Sequence, residues 1–391
     1  MVTVATPTFA GPTRVLHVMP SLNEECTPVV RSYLTASPHV EHWLITTPEA
    51  EDAGQFPPQL AGVLPLPPTY WGRLRAVADA YESLRPDFVH AHSPSAGAYV
   101  RLNHRIPRKF IIYSPHVYLF ERRDISLLRR AAHVLAEHCL AGRATTVAAT
   151  SPREAHLAAR LHRTHRIIHV PQVASDRPAA ATAASRQPGS RSLAVGTGPL
   201  CAQTDPSYFA KVAASQGGLL EWMWIGDGEQ QYRDILQEAG VHVTGHLDKT
   251  KTEELLASAS VYVHTEAWEG SNTTPILLQA AEAGLPVVAR QTPSTKALRL
   301  PDSADSPSEL ASHAVRLSHS SWDRAAHRKL LKDALAPYNH AAQAARLAEA
   351  YRTKADNLKE TWGKEQPLAH KSDMPVPTFH GAPSAGHFRS K

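Results

Sequence analysis

The fold of this 391-residue chain is decided by one stretch, WEGSNTTPILLQAAEAGLPVVA at residues 268–289. It predicts a loop, a helix, a tight turn and a buried strand, in that order. Thr274 suits the N-cap of the helix, Pro275 its first position and Gly284 the left-handed cap at its end. A glutamate, Glu269, stands just before the helix, whose free N–H groups favour an anion.

The same alternation of short apolar strands and helices extends over both halves of the chain. Strands of this kind are buried on both faces, so they favour parallel sheets covered by helices. We therefore predict an α/β fold with two doubly wound Rossmann-like domains, whose ligands lie beyond the carboxyl ends of the strands. The predicted strands are residues 14–19, 42–47, 62–66, 88–92, 109–114, 146–151 and 166–171, then 192–196, 220–226, 241–245, 261–265 and 287–289.

Composition separates these two domains from the segments around them. The two ends of the chain are polar and rich in proline, which predicts a disordered leader and a disordered tail. A run rich in Ala, Ser, Pro and Arg predicts a linker. The predicted segments are a leader at 1–13, a first domain at 14–173, a linker at 174–191, a second domain at 192–337, a final helix within 338–362 and a tail at 363–391.

Charge and cysteine content exclude several classes of protein. A net charge of +5 permits acidic ligands such as nucleotide diphosphates, and weak attraction to an anionic membrane surface. No basic cluster is interleaved with aromatic residues, so nucleic acid is not expected as a partner. Cys26, Cys139 and Cys201 are far apart and odd in number, which favours the reduced thiols of a cytoplasmic protein. The sequence also lacks an apolar run of about 18 residues and a secretory signal.

The opening stretch resembles the donor-site motif of glycosyltransferase family four, whose members have the GT-B fold. That motif has two glutamates separated by seven residues, followed by Ala and a Gly-x-Pro-Val segment. Glu269 fits the first glutamate, whereas the second position falls on Gln279, after an interval of nine residues. The resemblance implies that the two domains face a cleft, the first binding the acceptor and the second the nucleotide sugar. It also implies that the final helix returns to the first domain.

The resemblance assigns roles to the residues of the motif and of two other segments. Glu269 would hold hydroxyls of the donor sugar, and Gln279 would lie near the ribose. Ser114-Pro115-His116 is similar to the family's Pro-His-Gly segment, so His116 would face the sugar from the first domain; a loop histidine without a ligand is the other interpretation. We expect catalytic roles for His116 and Glu269. The expected donor-binding residues are Gly226, Gly228, Ser271, Asn272, Thr273, Thr274 and Gln279.

Several ligand-contacting positions depart from the family pattern. An Arg and a Lys normally clamp the diphosphate, and cation contact stabilises a leaving group of this kind. Aligned on Asp205-Pro206, the Lys position is Thr204 and the Arg position falls near Gly198 or Pro199. Two explanations compete for this loss. Either the enzyme is active and another cation substitutes, the candidates being Lys211, Arg290 and Lys296, or the protein has lost catalysis and acts as a binding or partner subunit.

His90 and His92 alternate along a predicted strand and so point to the same side. Two histidines without an apparent third ligand do not make a metal site. We expect packing or contact with the edge of the substrate for this pair, and neither a metal nor another cofactor.

The resemblance implies a hexosyltransferase-like glycosyltransferase that retains anomeric configuration and is independent of metal. It would transfer a sugar from a nucleotide-diphosphate donor to a glycan or a lipid-linked acceptor. We expect it in the cytoplasm, associated peripherally with the inner face of the plasma membrane, in polysaccharide biosynthesis. A nucleotide-sugar epimerase of the same fold is a third alternative, although no segment resembles its acid–base carboxylates. The sequence leaves open the base, the sugar, the acceptor, the pathway and the oligomeric state.

Overall fold

Two parallel sheets carry the fold of the protein in this computed structural model. The structure describes residues 12–20, 27–47, 60–161, 166–174, 191–216, 218–270 and 273–352. Both sheets belong to one compact unit that extends to Tyr351.

The first sheet has seven strands, and every neighbouring pair is parallel. Its strands are β1 (Arg14–Val18), β2 (Glu41–Thr46), β3 (Leu60–Pro65), β4 (Phe88–His92), β5 (Ile111–Ser114), β6 (Thr146–Ala149) and β7 (Arg166–His169). They lie in the order β3-β2-β1-β4-β5-β6-β7.

The second sheet has six parallel strands in an equivalent order. Its strands are β8 (Leu193–Thr197), β9 (Glu221–Ile225), β10 (His242–Val243), β11 (Val261–His264), β12 (Val287–Arg290) and β13 (Ser303–Ala304). The order β10-β9-β8-β11-β12-β13 reverses direction between β8 and β11, as the first sheet does between β1 and β4. The predicted α/β fold of two doubly wound Rossmann-like domains is therefore confirmed.

Helices cover both faces of each sheet, and the two faces of the second sheet hold separate clusters of buried apolar side chains. Strands β4, β5 and β6 are buried at every residue, which explains their nearly continuous apolar sequence. The helices are α1 (Thr27–Ala36), α2 (Tyr70–Leu84), α3 (Pro94–Arg101), α4 (Leu127–Leu140), α5 (Pro152–Leu161), α6 (Pro206–Ala214), α7 (Gln230–Glu238), α8 (Lys249–Ser258), α9 (Thr273–Glu282), α10 (Pro293–Leu298), α11 (Pro307–His319), α12 (Ser321–Leu335) and α13 (His340–Ala350).

The donor segment differs from its prediction at the start of its helix. Helix α9 begins at Thr273, so Thr274 is not the N-cap and Pro275 is not the first helical residue. The helix can start before Pro275, because the N–H groups of the first turn have no partner within the helix and proline is therefore tolerated there. Gly284 has the expected left-handed conformation, with φ of 76°.

Helix α13 packs against α1 and β7 of the first sheet. Gln343 donates hydrogen bonds to the carbonyl oxygen of Pro171 (3.0 Å) and to Ser32 (3.1 Å). The helix ends at Ala350, earlier than the predicted limit of residue 362. The predicted tail, most of the leader and most of the linker lie outside the described residues.

Candidate functional site

Two glutamates from different sheets approach each other where the strands end. Glu269 follows β11, and its carboxylate accepts hydrogen bonds from Ser294 (3.1 Å) and from Ser151 of the first domain. Glu154 lies in the first turn of α5, where Oε2 accepts from the N–H and the hydroxyl of Thr150, both at 2.6 Å. Helix α5 also packs against α10, so the two domains meet at this point.

Both glutamates have a perturbed affinity for protons. Burial raises the pKa of Glu269 to about 7, and burial likewise raises the pKa of Glu154 to about 7, with repulsion from Glu269 as a further cause. A carboxyl group in this range exchanges protons readily near neutral pH. Such groups concentrate at functional sites, which makes this pair the electrostatic centre of the candidate site.

His116 follows β5 and lies beside Glu154, to which it donates a backbone hydrogen bond. Its φ of 61° is left-handed, a conformation that costs a residue with a Cβ about 1–2 kcal/mol. Only 4% of the residue is exposed, and burial lowers the pKa of the ring to about 4. The ring is therefore neutral at pH 7.

Two adjoining cavities connect these groups. The smaller, of about 250 Å³ counting the space open to solvent, is lined by both domains and brings together His116, Glu154 and Glu269. The larger, of about 460 Å³ on the same measure, lies against Glu269, Trp268 and Ser294 of the second domain. The structure thus places the two expected catalytic residues, His116 and Glu269, on one cavity.

The histidines of β4 lie in a larger group than the sequence indicated. His17 of β1 is the register partner of His90, and ring nitrogens of His17, His90 and His92 all lie within 4.8 Å of one another. Each ring nitrogen of these three has a hydrogen-bond partner in the protein. His90, for instance, bonds to the hydroxyl of Tyr351 at 2.9 Å. The sequence showed the alternating pair on β4, whereas the approach of His17 depends on the register between β1 and β4.

Of the residues expected at the diphosphate, Thr273 and Thr274 lie at the start of α9. The hydroxyl of Thr273 accepts from the N–H of Gly270 (2.8 Å) and donates to Glu266. Thr274 is fully buried, and its hydroxyl has no partner among the residues that the structure describes. Gln279 is half-buried further along the helix. Ser271 and Asn272 lie outside the described residues.

Comparison with known proteins identifies the family of this chain. Residues 13–193 match a model described as glycosyl transferase 4-like domain, and residues 207–319 match one described as glycosyl transferases group 1. The chain belongs to the GT-B glycosyltransferases of the family-four-like type. No curated protein matches it.

Solved GT-B glycosyltransferases share the fold at low sequence identity. Anabaena Alr3699/HepE in complex with UDP and glucose is 14% identical with a TM-score of 0.69, over 86% of this chain and 99% of that one. The E. coli trehalose-6-phosphate structure with UDP-2-fluoro glucose is 12% identical with a TM-score of 0.66, over 87% and 99%. Sucrose-phosphate synthase from Thermosynechococcus elongatus is 14% identical with a TM-score of 0.62, over 90% and 98%.

Two glycines expected to bind the donor in this glycosyltransferase have a packing role of their own. Gly226 has φ of 146°, and a Cβ there would lie 2.1 Å from the carbonyl oxygen of Gly198. Gly228 has φ of 155°, and its Cβ would lie 2.6 Å from the oxygen of Leu200. The loops after β8 and β9 can approach this closely only because both residues lack side chains. Contact with the donor stays a prediction for both.

The cations suggested as substitutes differ in their surroundings. Arg290 lies against Asp205 (2.6 Å) and over the ring of Tyr208, while Lys211 and Lys296 are exposed on their helices. The larger cavity is instead lined by three arginines of the first domain, which the sequence analysis did not single out: Arg123, Arg130 and Arg153. Their clustering depends on α4 and α5 both beginning at this cavity, which no local sequence pattern shows.

Among the described residues, no helix has the length and apolar character that crossing a membrane requires.

Proposed function

We propose that this GT-B glycosyltransferase moves a hexosyl group from a nucleotide-diphosphate donor to a hydroxyl of a glycan or lipid-linked acceptor. The transfer retains anomeric configuration and uses no metal. The observation that carries the proposal is the cavity on which His116 of the first domain meets Glu269 of the second. A site divided between two domains aligns two substrates and excludes water when the domains close.

In this proposal different residues around the cavity bind different parts of the donor. Glu269 accepts hydrogen bonds from hydroxyls of the sugar, and His116 faces the sugar from the other side. The N-terminus of α9 presents backbone N–H groups to the phosphates. Gln279 lies near the ribose and accepts a hydrogen bond through its amide oxygen.

The three arginines of the larger cavity supply the positive charge that the second domain lacks. Arg153 is only partly exposed and pairs with Glu121 at 3.0 Å, while Arg130 donates to the carbonyl oxygen of Phe120 at 2.8 Å. Both side chains are thereby held at the cavity that Glu269 also lines. Guanidinium groups in a partly enclosed site stabilise the charge that develops on a leaving diphosphate. This arrangement favours an active enzyme over a partner subunit that has lost catalysis.

The decisive experiment is a thermal-shift titration with UDP, GDP, ADP and their common sugar conjugates. A ligand that binds only the native state raises the melting temperature. We expect one nucleotide to stabilise the protein, and its sugar conjugate to stabilise it further. UDP compounds come first, because solved GT-B structures of the same fold hold UDP and UDP-2-fluoro glucose.

Glu269→Ala should abolish the increment due to the sugar and keep the shift due to the nucleotide. The exposed Glu254 on α8 provides the matched control, and Glu254→Ala should keep both shifts. No shift with any nucleotide would contradict the proposal and favour a binding or partner subunit. Conversion of the free nucleotide sugar into an epimer would favour the epimerase.

An apolar surface beside the cavity supports the proposed acceptor and location. Helix α4 exposes three leucines, Leu127 at 77%, Leu128 at 82% and Leu135 at 63%. Arg129 and Arg130 lie between them in the sequence, and Arg130 also lines the larger cavity. A helix that combines exposed apolar side chains with arginines binds an anionic lipid surface. We propose that α4 holds the enzyme at the inner face of the plasma membrane, where a lipid-linked acceptor would reach the cavity.

Co-sedimentation with vesicles tests this part of the proposal. The full chain should bind phosphatidylglycerol vesicles and not phosphatidylcholine vesicles. Leu128→Asn should weaken binding to phosphatidylglycerol, whereas Trp322→Asn, at a residue of α12 that is 78% exposed, should not. If the two variants lost vesicle binding equally, α4 would not be the membrane-binding surface.

A further inference from the structure

Four buried histidines form one hydrogen-bonded chain that ends in the candidate site. The histidine chain consists, in spatial order, of His42 on β2, His17 on β1, His92 on β4 and His116 after β5. The nitrogen-to-nitrogen distances along it are 2.9, 2.9 and 3.0 Å. None of the four residues is more than 4% exposed.

At the far end of the histidine chain, the neighbours of His42 determine which of its ring nitrogens carries the hydrogen. Nε2 of His42 lies 3.0 Å from the carbonyl oxygen of Ser37 and 3.2 Å from its hydroxyl oxygen. A carbonyl oxygen can only accept, and the Ser37 hydroxyl donates its own hydrogen to the carbonyl of Tyr33 at 2.6 Å. Both neighbours are acceptors, so Nε2 of His42 carries the hydrogen.

The tautomer of His42 determines the tautomer of each following ring in the histidine chain. A neutral imidazole has one donor and one acceptor nitrogen, and burial lowers the pKa of all four rings, so each is neutral near pH 7. Nδ1 of His42 accepts from Nε2 of His17, and Nδ1 of His17 accepts from Nε2 of His92. Nδ1 of His92 in turn accepts from Nε2 of His116. The remaining nitrogen, Nδ1 of His116, is left with a lone pair.

Two buried polar atoms at the smaller cavity lack a partner, and one of them, Nδ1 of His116, can only accept a hydrogen bond. Nδ1 of His116 and Oε1 of Glu154 both lack a hydrogen-bond partner within the described part of the chain. Both residues line the cavity, together with Glu269. Leaving buried polar atoms unpaired is costly, so a ligand that donates hydrogen bonds is favoured here. Sugar hydroxyls are groups of this kind.

We propose that the histidine chain, ordered by the Ser37 carbonyl, keeps the hydrogen of His116 on Nε2 and presents its Nδ1 lone pair to a hydroxyl of the donor sugar. His42, His17 and His92 are then positioning residues, since they act through His116 and not on the substrate. Recognition of the sugar rests on the proposed function, whereas the order of the hydrogens does not.

Nitrogen NMR on the full-length protein, labelled with ¹⁵N-histidine, tests the order of the hydrogens. Protonated and unprotonated ring nitrogens give distinct shifts, and the signals of His116 are assigned by their loss in His116→Gln. We expect Nε2 of His116 to be protonated and Nδ1 unprotonated. A hydrogen on Nδ1, or a fully protonated ring at pH 7, would overturn the proposal.

Variants at the far end test whether the order is transmitted. His42→Leu removes the acceptor of His17 and should give His116 as a mixture of tautomers. His42→Gln should restore the single tautomer, because its amide can accept from His17 and donate to Ser37. Tyr351→Phe removes a hydrogen bond to His90 in the same buried group but outside the histidine chain, and should leave His116 unchanged. An unchanged tautomer in His42→Leu would contradict transmission.

Calorimetric titration with UDP and UDP-glucose tests the role in sugar binding. The ratio of the two affinities measures what the sugar contributes. His42→Leu should lower this ratio in proportion to the fraction of His116 whose Nδ1 stays unprotonated, about twofold for an equal mixture of tautomers, without changing the affinity for UDP. His42→Gln and Tyr351→Phe should keep the ratio of the unaltered protein.

Failure of the proposed function can be distinguished from failure of the proposed order of hydrogens. If the unaltered protein binds neither UDP nor UDP-glucose, the proposed function fails on this donor and sugar recognition fails with it, while the NMR result still decides the order of the hydrogens. Elemental analysis of the purified protein provides a further check. A stoichiometric metal whose removal shifts the ring nitrogens of His17 and His92 would overturn the histidine chain as a hydrogen-bonded structure.

Discussion

The two sheets have equivalent strand orders, yet their central strands are packed in different ways. In the first sheet, His17 of β1 and His92 of β4 are buried and hydrogen-bonded to each other. In the second, β8 and β9 lead into glycines whose backbones approach the neighbouring loop closely. Buried polar groups must be paired, and backbone can approach backbone only without side chains. The first sheet therefore fixes the direction of side-chain hydrogens, whereas the second fixes the path of its loops.

Breaking the glycine contact of the second sheet should have the largest effect. Gly226→Ala places a Cβ against the carbonyl of Gly198 at an unfavourable φ, so the free energy of unfolding should fall by on the order of 3 kcal/mol. Gly240→Ala is the control, because its φ of 76° is unfavourable but no atom lies within 4 Å of the added Cβ. It should lose only about 1 kcal/mol in urea denaturation. Equal losses would show that strain alone explains Gly226.

Removing a cation that the first domain contributes should have the next largest effect. Arg153→Gln should weaken UDP binding by about tenfold or more, since a charge-assisted hydrogen bond is lost. Arg105→Gln removes an exposed arginine of the same domain that pairs with Asp79 and Glu82, and should bind UDP normally. Calorimetry measures both affinities. If Arg153→Gln bound UDP with unchanged affinity, Arg153 would not contact the diphosphate, and a cation of the second domain would be the better candidate.

The histidines of the first sheet should make the protein sensitive to acid. Burial lowers the pKa of His90 and of the four residues of the histidine chain, so the folded state binds fewer protons than the unfolded state below about pH 6.5. The free energy of unfolding should therefore fall as the pH decreases from 6.5 towards 4. Glu154 and Glu269, whose pKa values are raised to about 7, act in the opposite direction, but they are two groups against these five and against His169 and His264, whose pKa values burial also lowers.

His90→Phe should reduce the slope of the unfolding free energy near pH 5.5 by about 1.4 kcal/mol per pH unit, the contribution of one proton. Urea denaturation at several pH values measures the slope. His104→Phe, at an exposed histidine of the same domain, is the control. A slope that His90→Phe leaves unaltered would mean that His90 is protonated in the fold.

Restoring a family residue in the second domain should have the smallest effect. Gln279→Glu replaces an amide by a carboxylate, which accepts a stronger hydrogen bond from the ribose, so UDP should bind about fivefold more tightly. Gln237→Glu, on the exposed surface of α7, is the matched control for the added charge. If both variants bind UDP like the unaltered protein, Gln279 does not lie at the ribose.

The fold was predictable because its determinants are local. Short apolar strands alternating with helices predicted the parallel sheets, and a resemblance carried by residues 268–289 predicted that they belong to a GT-B protein. The site was predictable only in part. Glu269 and His116 lie in recognisable segments, whereas Glu154 and Arg153 reach the cavity because α5 begins there. His17 and His42 join His92 only through the register of three strands, which one sequence does not reveal.

The hydrogen bond between Tyr351 and His90 determines when the first domain can finish folding during synthesis. The two residues are separated by 261 positions, yet their side chains meet beneath α13. Domains commonly begin to fold as they leave the ribosome, from the N-terminus onward. Here the first domain can collapse early, but its buried polar network stays incomplete until almost the whole described chain has been made. A product truncated before Tyr351 would therefore leave His90 without this hydrogen bond.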